Sequence, residues 1–183
     1  MANRGIWVII GMLATAVVAA SSAWYYQYQQ GQQVLAHWGV EHAGRIRLAP
    51  RCKLLKLDKA NVTDEPRTDA TGAAEMAGSS MGHYLEIGGA NFPIRWERDL
   101  TGAPGFVHAR HALIQDASYD WGNATAATND WDYAIFFQDN GGTTILVFDL
   151  EHAVVANAED LQQRASIAPT INGFRSYFAE LSQ

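Results

Sequence analysis

Residues with the types and spacing to do chemistry are few, and they fall in three places. Gly78, Ser79, Ser80, Met81 and Gly82 spell the Gly-x-Ser-x-Gly pattern of a nucleophile elbow. That chemistry needs a strand before the serine and a helix after it, so that a strained turn lifts the hydroxyl above a parallel sheet. Here a loop-like stretch precedes the motif and a strand-like one follows, so no catalytic residue is assigned.

His108 and His111 stand three apart on a helix expected over residues 104–116, which puts both imidazoles on one face. With Asp116 near the end of that helix they are the candidate metal ligands, and Asp120 is a further carboxylate in range. The spacing lacks the His-Glu-x-x-His arrangement that brings a hydrolytic base, and two histidines on the water side of an amphipathic helix need no ligand. No cofactor is assigned. His37 and His42 stand alone and point to nothing.

The third place is aromatic. Tyr119, Trp121 and Trp131 flank an irregular stretch and are the candidate binding residues, since large amphipathic rings supply contact area at little entropic cost. The simpler use of such rings is to fill a core. Cys52 is the single cysteine, so the chain holds no internal disulfide and no cysteine-built zinc site. Arg51 and Lys53 beside it would lower a thiol pKa, although a lone cysteine more often serves as a small buried hydrophobe.

The elements that must position these groups centre on residues 131–155. Two runs of β-branched and aromatic residues flank Asp139, Asn140, Gly141 and Gly142, the strongest hairpin signal in the chain. Trp131, Tyr133, Ile135 and Phe137 fall on one face, with Ala134 and Phe136 on the other. In the second arm Ile145 and Val147 oppose Leu146, Phe148 and Leu150. Both faces are apolar, which places the hairpin mid-sheet and covered on two sides. Asp149 interrupts this apolar arm and must sit at a sheet edge or be paired.

Around the hairpin, residues 45–48 alternate like an edge strand and residues 52–57 like a second strand after Pro50. Residues 83–87 and 92–96 form another hairpin across Gly88 and Gly89. Phe106, Ala109 and Leu113, with Val107 and Ile114 beside them, stripe the helix over 104–116. After a polar loop at 157–164, Pro169 opens a last helix on which Ile171, Phe174, Phe178 and Leu181 repeat and Tyr177 widens the buried face. Residues 58–82 are rich in Asp, Thr, Ala, Gly, Ser and Pro and read as a long mobile loop. Asn61 and Asn123 begin glycosylation sequons. The expected fold class is α+β: one antiparallel-sheet domain with two packed helices in a β-β-α-β-β-α-like order.

The N-terminus sets the compartment. Residues 5–26 carry no charge and are long enough for a bilayer-spanning helix of ~20 residues, with Trp24, Tyr25, Tyr26 and Tyr28 at the interface. The organisation expected is a tail at 1–4, a transmembrane anchor at 5–26, a juxtamembrane linker at 27–44 and an extracytoplasmic domain at 45–183. Gly11, Thr15 and Ala19 stand four apart, as in a helix that pairs with another. Arg4 favours a cytoplasmic N-terminus and a periplasmic or extracellular domain, although six basic residues at 45–59 stand near the limit at which flanking charge counts. Ser21, Ser22 and Ala23 also resemble a signal-peptidase site, which would leave a secreted soluble module.

At 183 residues with a net charge of −6, the chain is large enough for a real core and is not a nucleic-acid binder. Acidic residues dominate 99–160 and basic ones 45–59, a polarity satisfied within the domain or against a partner. The reading is a single-pass, membrane-anchored binding or accessory domain, held by lipid through residues 5–26 and serving a membrane-protein partner. The alternative is a metal-dependent or other hydrolytic enzyme with its site near 104–116.

Overall fold

The computed structural model describes residues 3–29, 31–59, 84–122 and 128–183, with the side chains of its first helix described over 9–24. The elements are α1 (Asn3–Gln29), α2 (Gln32–Leu48), β1 (Arg51–Leu57), β2 (Tyr84–Ile87), β3 (Ala90–Asp99), α3 (Phe106–Ala112), β4 (Tyr133–Asp139), β5 (Gly142–Asp149), β6 (Val154–Asn157), β7 (Arg164–Ser166) and α4 (Ile171–Leu181). A 3₁₀ turn, Asp116–Ser118, follows α3. The expected loop lies, from residue 60 on, outside the described residues, as do the Gly-x-Ser-x-Gly motif and both sequons.

The α+β class holds. The strands form one seven-stranded antiparallel sheet in the order β2-β3-β1-β4-β5-β6-β7. The β4–β5 hairpin sits at its centre, with Ile135 opposite Leu54 on one side and Leu146 on the other. Alternation then sorts the side chains. Tyr133, Ile135, Phe137, Leu146 and Phe148 enter one core with Trp38, Phe106, Phe174 and Phe178 from the helices. Ala134, Phe136, Ile145 and Val147 enter a second core with Leu55, Leu57, Phe92 and Ala156.

The second core is covered without a helix: among the described residues its members come from strands and their loops alone. The sheet curls until the β2–β3 turn meets the β6–β7 loop, where a Cβ on Gly88 would stand 2.6 Å from Leu161 Cδ1. Gly88, at φ 59, is required by both backbone conformation and space.

Several expectations need correction. The plan has β6 and β7 in addition, on either side of the expected polar loop, and three helices besides α1 where two packed helices were expected. Residues 45–48 are the last turn of α2 rather than an edge strand, because over four residues an Arg-Ile-Arg-Leu alternation also fits a helix end with Ile46 inward. The stretch expected as a linker is mostly α2, which docks on the sheet through Val34, Trp38, Ala43 and Ile46. The helix expected over 104–116 is shorter, and Val107 lies outside its buried stripe at 75% exposure. Trp131 precedes the first strand residue, leaves the alternation, and is buried in the second core instead of beside Tyr133.

α1 runs for 27 residues, and every side chain from 9 to 24 is exposed. Among the described residues no helix is long and apolar enough to cross a membrane; the described side chains of α1 fall short of the ~20 residues that a span requires.

Candidate functional site

A fully buried carboxylate with a partly exposed imidazole as its partner sits where β5 hands over to β6. Asp149 pairs with Val154 across the ladder, and residues 150–153 close the turn between them. The carboxylate is fully buried. Its Oδ1 accepts the backbone N–H groups of Glu151 and His152, each at 3.0 Å. Its Oδ2 accepts the Thr128 hydroxyl and the His152 Nδ1–H, the latter at 2.7 Å. Four donors on one carboxylate offset the large cost of burying it. Asp130 N–H in turn donates to Thr128 Oγ1, and Arg175 of α4 donates to the Leu150 carbonyl.

Burial alone pushes the Asp149 carboxyl up, but the hydrogen bonds from Thr128 and His152 outweigh it and hold the group below the usual carboxylate range. The bond to Asp149 and its charge, with smaller help from Glu151 and Asp130, raise the His152 imidazole. Ala153 closes the turn at φ 57, the single non-glycine residue in the left-handed region among those described.

Chemically, a carboxylate pinning Nδ1–H leaves Nε2 of a 44%-exposed imidazole as the open nitrogen, the orientation used by general bases and metal-bound histidines. The nearby hydroxyl, Thr128, donates to the carboxylate and not to the imidazole. The three therefore do not form a nucleophile–base–acid relay. Sequence reading flagged Asp149 but not His152; an Asp-x-x-His spacing at a strand end was the available signal.

The three candidate metal ligands have separate surroundings. His108 and His111 are exposed on α3, and His111 Nε2 is hydrogen-bonded to the Gln115 amide at 2.7 Å. Asp116 faces α2: its oxygens accept the N–H groups of Val34 at 2.8 Å and Gln33 at 3.3 Å, which caps that helix from far along the chain. Among the described residues no group of three or more His, Cys, Asp or Glu is placed to hold a metal ion.

Of the aromatic candidates, Tyr119 and Trp121 are together, with ring centroids 4.8 Å apart, and Trp131 is not with them. Tyr119 is buried; its hydroxyl donates to the Leu113 carbonyl and accepts from Trp38 Nε1. Trp121 donates to the Asp116 carbonyl and packs 5.3 Å from His37. Burial pushes the Tyr119 phenol up and the His37 imidazole down. This cluster fastens α2 to the segment 113–121 that follows α3.

Cys52 is buried, and Arg51 and Lys53 point to the opposite face of β1. The cation beside its sulfur is instead Arg110, 2.6 Å away, and burial still pushes the thiol pKa up against that pull. Above it lies a cleft of about 240 Å³ lined in part by Leu48, Phe106, Val107 and Arg110. A wider cleft of about 570 Å³ between the β2–β3 turn and the β6–β7 loop is rimmed by Glu86, Glu159 and Asp160. No protein family, curated protein or solved structure matches this chain.

Proposed function

We propose that the chain is a membrane-tethered binding or accessory domain, held by α1 and serving a protein of the same membrane. One observation carries the reading. The side chains of α1 from 9 to 24 are apolar or small and all exposed, with Ile9, Met12, Leu13 and Val17 along one face and Val18 turned away from it. A helix with no polar face to turn toward water needs apolar surroundings on every side, and a bilayer supplies them. Residues 5–8 and 25–26 extend the uncharged run to the length of a span. Tethering confines a weak interaction surface to the membrane plane and raises its effective concentration there.

The test is extraction of native membranes with alkaline carbonate, then mild-detergent solubilisation and crosslinking. The chain is expected to stay in the membrane pellet and to crosslink to a defined partner. Release by carbonate, with a mature N-terminus at residue 24, would establish the secreted alternative and end the tether.

A second reading has one observation in its favour. The imidazole of His152, oriented by buried Asp149, has Nε2 open to accept a proton, the role of a general base in hydrolysis. Hydrolysis of an ester or peptide probe that is lost in His152→Ala supports it; protein that hydrolyses no such probe ends it.

A further inference from the structure

We infer that the outward face of α2, with the neighbouring tip of α3, lies on the headgroup layer of an anionic bilayer. The inference rests on the tethered reading above and adds how the domain sits. α2 begins directly after Gly31, close in sequence to the end of α1, and its inner side is spent on the sheet. A helix packed this way normally turns charge toward water. Here the outward side after the Gly39 kink carries, beside exposed Glu41 and Arg47, the residues Val40, Gly44 and Leu48, four apart in one stripe, with Val40 75% and Leu48 74% exposed. Val107 of α3, equally exposed, rims the same cleft as Leu48.

Charge fits the same occupant. The chain is acidic overall, and most of its basic segment is used internally: Arg45 pairs with Glu41 and Asp139, Lys53 with Glu97, and Lys56 and Lys59 with Asp132. Arg47, exposed beside Leu48, and Arg110, which rims the same cleft as Leu48 and Val107, carry no ion pair among the described residues. Exposed apolar side chains beside guanidinium groups that carry no ion pair match an interface of phosphate above and acyl carbon below.

The full chain in nanodiscs tests this, with an environment-sensitive fluorophore on Val40→Cys; Cys52 is buried and stays unlabelled. In discs of phosphatidylcholine with phosphatidylglycerol the emission should shift to the blue, and nitroxide headgroup lipids should quench it. High salt, or Arg47→Glu, should weaken the docked population about fivefold or more. A fluorophore that stays in water while the chain stays in the disc overturns the docking and leaves the tether standing; a chain that never enters the disc overturns both. A fluorophore shielded in native membranes but wet in lipid-only discs assigns the face to a protein partner and likewise overturns the proposal.

Discussion

β5 is bounded by two turns built on opposite plans. At its start, Asn140 and Gly141 close the hairpin, Asp139 accepts the Gly141 N–H at 2.7 Å, and buried Arg45 arrives from α2 to bind Asp139, Glu41 and the Gly141 carbonyl. Glycine makes room for it: Gly142 sits at φ 146, and a Cβ there would lie 2.9 Å from Arg45 Nη2. At the end of β5 the buried charge is the carboxylate of Asp149, its donors include the turn's own residues, and the left-handed position is held by alanine. The first turn is stabilised by another element reaching in, the second by a strand residue reaching out. A buried charge can thus organise a turn from either side, provided every bond it needs is waiting.

The largest effect separating the two turns is expected from Asp149→Ala. It strips the acceptor from Thr128, two backbone N–H groups and His152 at once, and should cost about 3–5 kcal/mol in chemical denaturation. Arg45→Met should cost less, about 1–3 kcal/mol, because Glu41 and Asp139 reach water once released. Gly142→Ala is expected to fall in a similar range of about 1–3 kcal/mol from backbone strain and the clash with Arg45. Part of that cost should vanish in the Arg45→Met background, and strict additivity in the double-mutant cycle would show that the guanidinium does not impose the glycine.

Smaller and opposite in sign is Ala153→Gly. Relief of a left-handed alanine, ~1–2 kcal/mol, exceeds the ~0.4–1 kcal/mol of added chain entropy, so the variant should be more stable. The mildest test is pH. Asp149 titrates low in the folded state, so its contribution is whole above the ~3.9 of an unfolded aspartate and is lost as pH falls through the lower folded value. His152 titrates high, so its contribution is whole below ~6.5 and is lost as pH rises through the raised folded value. His152→Ala should flatten the alkaline limb of a denaturation-midpoint profile and leave a low-pH loss; an unchanged alkaline limb would mean that the pair contributes nothing.

Much of the sheet was legible in the chain. The central hairpin, the Gly88–Gly89 hairpin and the stripe of α4 each rest on a local period or a turn residue that needs no distant partner. α2 was hidden because Gly39 interrupts its pattern and its cap, Asp116, comes from elsewhere in the sequence. β6 and β7 were hidden because strands of four and three residues are too short for alternation to show. At the candidate site Asp149 stood out as a charge in an apolar run, whereas His152 and Thr128 become its partners only when a turn and a preceding loop bring them there.

The sequence alone determined that two apolar faces would meet in a central hairpin, since side-chain alternation along a strand is a local property. It also placed an uncharged, apolar run at the N-terminus. Tertiary structure decided what covers each face: three helices on one side and the sheet's own curl on the other. It also decided which charges are spent, because ion pairs such as Arg45 with Asp139 or Lys59 with Asp132 join residues that only folding makes neighbours.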